Sequence, residues 1–254
     1  MADIVIVASA FGIDRVRREG HLGCVGTAAS SGAAGFEVRR ELFASEQDAS
    51  ADALAALGRA LADAGLWSVY STPATLYTDA GALDAAALTS ALAEADALGA
   101  RFVKFQLGGF AGDAHADTLV ALSRGARARV LVENGQLALG GSLAQFRALF
   151  AALDAAGAAG ALGMTFDIGN WQWPGEAPLD AALALAPYVE YIHCKAVEGS
   201  GARMFAVAPA PRDPLVAAVL AQLPHDVPRG IEFPLDAADC AGDARDRVAW
   251  LEAA

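Results

Sequence analysis

The sequence predicts an α/β protein, a single-domain (β/α)8 TIM barrel, and three observations favour that fold class. Short β-branched or aromatic runs alternate along the chain with alanine-rich segments of helical spacing. Eight such pairs divide the 254 residues into units of about 32 residues, which suits a compact barrel. No stretch rich in proline, serine or charge separates two domains, so residues 1–254 are expected to form one domain. A doubly wound open sheet is the alternative fold.

The strand candidates are short and mostly apolar, as expected for strands that are covered on both faces. They are 3–8, 36–40, 67–71, 102–106, 129–133, 163–167, 190–194 and 229–232. The helix candidates are 14–32, 50–64, 82–98, 114–125, 141–157, 178–186, 213–223 and 241–252. Ser50, Asp84 and Ser142 precede three of these helices and are suited to cap their N-termini. The first unit is the least regular, because 20–35 contains five glycines.

Composition and charge fit a globular protein with a sizeable core and exclude several classes. Hydrophobic residues make up 55% of the chain, and 63 of its residues are alanine. No apolar run approaches the roughly 20 residues of a membrane span, so no membrane partner is expected. The start MADIVIVASAFG lacks a basic region, and the three cysteines form no CxxC pair, so a cytoplasmic location is expected. A net charge of −12 argues against nucleic acid as a partner.

Polar side chains gather at the C-terminal ends of six predicted strands. They are Glu37, Arg39 and Arg40, then Lys104 and Gln106, Glu133 and Asn134, Asp167, His193 and Lys195, and Glu232. In a barrel these strand ends converge on one face, where the βα loops build the active site. A single polar residue at such a position is as easily the start of a loop, but six consecutive cases favour a functional site.

Four of these residues recur at intervals of about one strand–helix unit. Glu133, Asp167, His193 and Glu232 are separated by 34, 26 and 39 residues, so each would end one of the last four strands. Three carboxylates and an imidazole at one height repel each other unless a cation lies among them. This donor set suits Mn²⁺, Mg²⁺ or Co²⁺ more than structural Zn²⁺, although Zn²⁺ stays open. The alternative is a polar mouth in which they form ion pairs with nearby lysine or arginine side chains.

The residues at these strand ends resemble a known superfamily. VLVENGQ, MTFDIGNW, EYIHCKAV and GIEFP are similar to the metal-site strands of the xylose isomerase-like TIM barrels, and GFEVRREL and VYSTP to their second and third strands. This is the sugar phosphate isomerase/epimerase and AP endonuclease family 2 group, with ketose 3-epimerases, inosose dehydratases and endonuclease IV. The likeness runs from about residue 30 to the end. It implies that Glu133, Asp167, His193 and Glu232 bind one divalent metal, and that Glu133 and Glu232 also act as acid and base.

Six further residues are predicted to contact the substrate. They are Arg39, Tyr70, Lys104, Gln106, Asn170 and Lys195. Lys104 and Lys195 are the only lysines in the chain, and each could bind a substrate oxygen or merely form an ion pair with a site carboxylate. Asn170 stands where many relatives carry a histidine, which puts the preferred substrate in doubt. The other three histidines, His21, His115 and His225, are expected at the surface.

Three functions compete at this stage. The first is a metal-dependent sugar or sugar-phosphate isomerase or epimerase, acting by proton transfer through a metal-stabilised enediolate. The second is a metal-dependent dehydratase of the inosose or dehydroshikimate type, and the third is an inactive binding barrel. A nuclease is disfavoured by the presence of only four histidines and by the acidic charge. The expected partner is a small sugar-like substrate, and the sequence leaves a homo-oligomer open.

Overall fold

The computed structural model describes residues 2–254, and its eight parallel strands close into a barrel. The barrel strands are β1 (Ile4–Val7), β2 (Gly35–Arg39), β3 (Trp67–Tyr77), β4 (Phe102–Gly108), β5 (Arg129–Glu133), β6 (Gly163–Asp167), β7 (Val189–Cys194) and β10 (Arg229–Ile231). Neighbours in the ring follow chain order, and β10 closes the ring by pairing with both β7 and β1. The predicted (β/α)8 fold class is confirmed, and the open sheet is not formed.

Nine α-helices surround the strands within residues 2–254. They are α1 (Ile13–Glu19), α2 (Leu22–Ser30), α3 (Ala51–Asp63), α4 (Ala85–Leu98), α5 (Ala116–Ser123), α6 (Leu143–Ala155), α7 (Pro178–Leu185), α8 (Pro214–Leu220) and α9 (Cys240–Ala253). The capping predictions are confirmed, because the side chains of Ser50, Asp84 and Ser142 each accept a backbone N–H at the start of α3, α4 and α6. None of the helices in the described residues is long and apolar enough to cross a lipid bilayer.

The structure departs from the sequence prediction in three segments. The strand predicted over 67–71 extends to Tyr77 as β3. The helix predicted over 14–32 is split into α1 and α2, because Gly20 adopts a φ of 72° that ends the first helix. An antiparallel hairpin that the sequence did not predict follows β7, formed by β8 (Ala196–Glu198) and β9 (Phe205–Val207). Three-residue strands with a glycine turn carry too weak a pattern to be detected in sequence.

His21, expected at the surface, is buried, and that expectation is wrong. Its side chain packs on Phe43 with ring centroids 4.4 Å apart, and its Nε2 accepts the backbone N–H of Arg39 at 3.2 Å. Burial lowers the pKa of His21 to about 4, so the ring is neutral at physiological pH. The histidine therefore fixes the end of β2 in place.

The barrel interior is apolar towards the N-terminal ends of the strands and charged towards their C-terminal ends. Val5, Val69, Phe102, Leu131 and Tyr191 form a buried cluster inside the ring. Successive residues on a strand point to opposite faces, so the side chain two positions further along shares the same face. Lys104, Glu133 and His193 each follow a member of that cluster by two positions. The charged groups thus lie directly above an apolar floor, at the C-terminal mouth of the barrel.

Candidate metal centre

The structure brings together the four residues that the sequence predicted as metal ligands. Glu133, Asp167 and His193 lie on β5, β6 and β7, and Glu232 directly follows β10. Each offers one ligand atom, and these atoms lie within 4.8 Å of one another. One divalent ion with ligand distances of about 2.0–2.6 Å spans such a set. The donor atoms therefore fit a single metal ion.

The imidazole of His193 presents one nitrogen to three carboxylates and the other nitrogen to a fourth. Its Nδ1 lies 2.8 Å from Oε1 of Glu133, 3.0 Å from Oε2 of Glu232 and 3.6 Å from Oδ2 of Asp167. Its Nε2 lies 2.8 Å from Oε2 of Glu37 on β2. A carboxylate behind a metal-binding histidine fixes the tautomer and makes the free nitrogen a better ligand. Nδ1 is therefore the nitrogen suited to hold an ion.

Glu37 is a functional residue that the sequence interpretation placed at a strand end without giving it a role. Its side chain is fully buried, and besides His193 it pairs with Lys104, whose Nζ lies 3.0 Å from Oε1. The sequence feature that pointed to a role for Glu37 was the position of its carboxylate within the buried strand GFEVR. Burial of an unpaired charge there is very costly, so a partner is required. Its partner, 156 residues away, could not be identified from the sequence.

The ion pairs that the sequence left open are also present. The ammonium of Lys104 lies 2.9 Å from Oε2 of Glu133, in addition to its contact with Glu37. The ammonium of Lys195 lies 2.7 Å from Oδ2 of Asp167 and 2.7 Å from Oε2 of Glu232. Both lysines are nearly fully buried. Glu133 turns one oxygen to His193 and the other to Lys104, whereas in Asp167 and Glu232 the oxygen that faces His193 is also the one that pairs with Lys195.

The charges around the cluster set the protonation of its members. Burial raises the pKa of Asp167 to about 6, since the nearby Lys195 offsets only part of this cost. Burial also opposes ionisation of Glu133, but the charges of Lys104 and His193 outweigh it and bring the pKa to about 2. Burial disfavours an imidazolium, yet the surrounding carboxylates raise the pKa of His193 well above its ordinary value. Without a metal, the ring is therefore protonated at neutral pH.

Two further predicted residues face the cluster from the mouth. Arg39 donates from Nη1 to Oε1 of Glu232 at 2.7 Å and from Nε to Oε1 of Glu41 at 2.7 Å. Gln106 donates from Nε2 to Oε2 of Glu133 at 2.9 Å. Glu133 therefore has one oxygen held by cationic or amide donors, whereas both oxygens of Glu232 are held, by Arg39 and Lys195. Such contacts restrict the carboxylate to one orientation before any substrate arrives.

Asn170 lies next to the cluster, but its groups are engaged with the protein. Its backbone N–H donates to Oδ1 of Asp167 at 2.9 Å, and its side-chain amide donates to the carbonyl of Asn134 at 2.9 Å. Its Oδ1 accepts from Gln136 at 3.2 Å, and the residue is only 5% exposed. These hydrogen bonds give Asn170 a role in orienting Asp167, and its contact with the substrate stays a prediction.

Tyr70 is placed away from the cluster, and the expectation that it contacts the substrate is wrong. Its neighbour Val69 points into the barrel, so alternation sends Tyr70 outward towards the helices. Its hydroxyl donates to Oε2 of Glu94 on α4 at 2.8 Å. Both faces of a barrel strand are buried, so the sequence pattern could not decide which face carries the tyrosine.

A cleft of about 900 Å³ opens above the cluster. Arg39, Lys195 and Glu232 line its inner end, and the segment from Ser9 to Arg18 lines one wall. This volume lies within the usual range of small-molecule sites. The cleft therefore reaches the cluster at Glu232, one of the four predicted metal ligands.

Comparison with known proteins identifies the fold of this chain but not its activity. No family model matches the sequence, and no curated protein was found to be similar to it in sequence. Among solved structures, D-psicose 3-epimerase from Clostridium cellulolyticum is 11% identical with a TM-score of 0.67, covering 100% of this chain and 97% of that chain. The probable 3-DHS dehydratase AsbF from Bacillus anthracis is 15% identical with a TM-score of 0.66, covering 99% and 98%.

A third match belongs to yet another class of enzyme. Endonuclease IV from Thermus thermophilus is 22% identical with a TM-score of 0.62, covering 99% of this chain and 100% of that chain. Other matches are described as xylose isomerase-like TIM barrel or xylose isomerase domain proteins. The chain therefore has the xylose isomerase-like TIM barrel fold. Because the neighbours are an epimerase, a dehydratase and a nuclease, the fold alone does not choose the reaction.

Proposed function

We propose that this chain is a divalent-metal-dependent isomerase or epimerase of a sugar or sugar phosphate. The observation that carries the proposal is that two carboxylates from different strands, Glu133 and Glu232, lie 2.8 and 3.0 Å from the Nδ1 atom of His193. They come from β5 and from the end of β10, which are three places apart around the ring. Two carboxylates facing one centre from different sides can serve the two faces of a substrate carbon.

Glu133, Asp167, His193 and Glu232 would hold the ion, and the donor set supports this assignment. Three carboxylates and one neutral imidazole nitrogen match the preferences of Mn²⁺, Mg²⁺ or Co²⁺, and Zn²⁺ also accepts such ligands. Held by these four residues, a divalent ion would supply Lewis-acid chemistry, which would make a C–H next to a substrate carbonyl more acidic.

The side chains of this protein then move the proton. Glu133 removes a proton from the carbon that faces it, from a carboxylate oriented by Lys104 and Gln106. Glu232 returns a proton on its own side, and Arg39 and Lys195 hold its carboxylate in place. Return to the other face of the same carbon gives an epimer, and return to the neighbouring carbon gives an isomer.

Lys195 supports the second candidate, a dehydratase. That reaction needs the same ion and base, and in addition a proton donor for the leaving hydroxyl group. Lys195 lines the cleft beside Glu232, with Nζ at 2.7 Å from Oε2, and could supply that proton. The two reactions therefore differ in whether Lys195 only binds a substrate oxygen or also protonates it.

The experiment is a turnover panel with the metal-loaded protein in D₂O, followed by NMR. Ketoses, ketose phosphates, an inosose and dehydroshikimate are the test compounds. If the protein is an isomerase or epimerase, the substrate gains deuterium at carbon and is converted to an isomer. If it is a dehydratase, the substrate loses water. A fully loaded protein that does neither with any compound contradicts the proposal and favours the binding barrel. The protein without added metal is the matched control.

A further inference from the structure

The cleft has a second basic region, and its residues are far in sequence from the predicted metal ligands. Arg15 and Arg18 on α1 line the cleft, together with Phe11 and Gly12 that lead into this helix. Arg17 lies on the same helix but lines a neighbouring groove instead. The segment IDRVRRE thus places two of its three arginines on the wall of the candidate active site, and the function proposed so far does not use them.

These two guanidinium groups share one carboxylate. Arg15 donates from Nε to Oε2 of Glu19 at 2.9 Å, and Arg18 donates from Nη2 to Oε1 of Glu19 at 2.8 Å. A single carboxylate neutralises one of the two charges. Asp14 also lines the cleft but forms no ion pair with either arginine within residues 2–254, so each guanidinium keeps N–H donors beyond the one given to Glu19.

Arg15 is the better ordered of the two arginines. Its side chain is 33% exposed, compared with 67% for Arg18. Its guanidinium carbon lies 6.0 Å from the ring centroid of Phe11, a buried residue that also lines the cleft. Contact with an aromatic ring and with Glu19 limits the rotamers of Arg15, so less entropy is lost when it binds a ligand.

The basic groups at the inner end of the cleft are already engaged. Lys195 contacts Asp167 and Glu232, and Arg39 contacts Glu232 and Glu41. A negatively charged ligand group is therefore better matched by the arginine pair on α1 than by the inner end. The chain as a whole has a net charge of −12, which repels anions, so two arginines on one wall of the cleft are a local exception.

We propose that the substrate carries an anionic group, a carboxylate or a phosphate, which binds Arg15 and Arg18 while its carbonyl end reaches the metal cluster. This inference rests on the proposed function for the reacting end and adds the chemical class of the substrate. Guanidinium groups pair with carboxylate and phosphate oxygens through two parallel hydrogen bonds, which a neutral sugar hydroxyl cannot reproduce. A neutral ketose would therefore bind more weakly than its acidic counterpart.

Calorimetric binding to the metal-loaded protein tests this without requiring turnover. The probes are D-fructose, D-fructose 6-phosphate and D-gluconate, and comparison of the last two distinguishes a phosphate site from a carboxylate site. We expect at least one anion to bind about tenfold or more tightly than fructose, since a hydrogen bond to a charged group contributes strongly. The Arg15→Gln/Arg18→Gln variant should lose this preference and keep its affinity for fructose.

Two single variants serve as controls on the same helix. Arg17→Gln removes an equal charge outside the cleft and should leave the anion preference unchanged. Glu19→Gln releases both guanidinium groups from their shared carboxylate and should increase the preference, a gain that a purely structural role of α1 would not produce. Equal affinity for all three probes, or a preference that survives in the Arg15→Gln/Arg18→Gln variant, overturns the proposal. If the protein prefers anions but turns over no compound, the anion site stands and the proposed reaction is refuted.

Discussion

His193 and Glu37 form a buried pair across the barrel, with Nε2 of the imidazole 2.8 Å from Oε2 of the carboxylate. Both side chains are fully buried, and their strands are three places apart around the ring. The pair leaves Nδ1 directed at the other three predicted ligands. Its geometry therefore leaves His193 with one defined nitrogen, Nδ1, that could bind a metal ion.

Replacing Glu37 should weaken metal binding without removing a ligand. Glu37→Gln keeps a side chain of similar shape that can still hydrogen-bond to His193. It removes the negative charge that makes the imidazole a stronger metal ligand. We expect affinity for Co²⁺ or Mn²⁺ to fall by about 10–100-fold. Competition with a chromophoric chelator measures this, with Glu94→Gln, outside the barrel, as the matched control. An unchanged affinity in Glu37→Gln would show that the pair does not tune the site.

Removing Lys104 should destabilise the fold. Its ammonium is 1% exposed and contacts Glu37 and Glu133, so Lys104→Met leaves two buried carboxylates without their cation. Breaking a buried pair in this way costs about 3–5 kcal/mol. Urea unfolding of the metal-free protein measures the loss. The double variant Lys104→Met/Glu37→Gln should be less destabilised than the sum of the single variants, and strict additivity would contradict this explanation.

Metal binding should release protons and should strengthen as pH rises. The raised pKa of His193 means that the metal-free protein gains stability from its imidazolium below the ordinary histidine pKa and loses that gain as pH rises through the raised value. An ion replaces this proton, so about one proton should be released per ion at pH 7–8. Below pH 6, Asp167 with its pKa of about 6 also takes up a proton, and affinity should fall more steeply. Calorimetry in buffers of different ionisation enthalpy counts the protons, and pH-independent binding would contradict the assignment.

Substitution of the two glutamates should separate proton transfer from metal binding. Glu133→Gln and Glu232→Gln each keep an oxygen ligand but lose the base, so turnover should fall by about 10²–10⁴-fold with metal bound. Asp167→Asn should instead lose affinity and recover most of its activity in excess metal. Exchange of solvent deuterium into the substrate carbon is the measurement. If both Gln variants retain near wild-type exchange at saturating metal, Lys104 or Lys195 becomes the better candidate base.

Much of the fold, and the gathering of Glu133, Asp167, His193 and Glu232 at the mouth, could be predicted because both depend on local periodicity. The ends of β5, β6 and β7 were marked by a polar residue after an apolar run, and their spacing followed the strand–helix repeat. Contacts across the barrel do not leave such a pattern. The pairing of Glu37 with His193 joins residues 156 positions apart and is defined only once the ring has closed.

The remaining errors have specific physical causes. Tyr70 was assigned to the wrong face because both faces of β3 are covered, and a shift of one residue reverses every side chain. The hairpin of β8 and β9 was missed because its strands have only three residues each. Asn170 was identified at the correct place, but its hydrogen bonds to Asn134 and Asp167 depend on two loops that meet only in three dimensions.

The most direct test of a metal centre at the barrel mouth is a titration of the metal-free protein with Co²⁺, followed by visible absorption. We expect one ion per chain, with ligand-field bands that report a mixed oxygen and nitrogen environment. The Asp167→Asn/His193→Gln variant, checked for native fold by circular dichroism, should lose these bands. Wild-type protein that binds no more Co²⁺ than this variant, or that is fully active when elemental analysis finds no metal, would contradict the account.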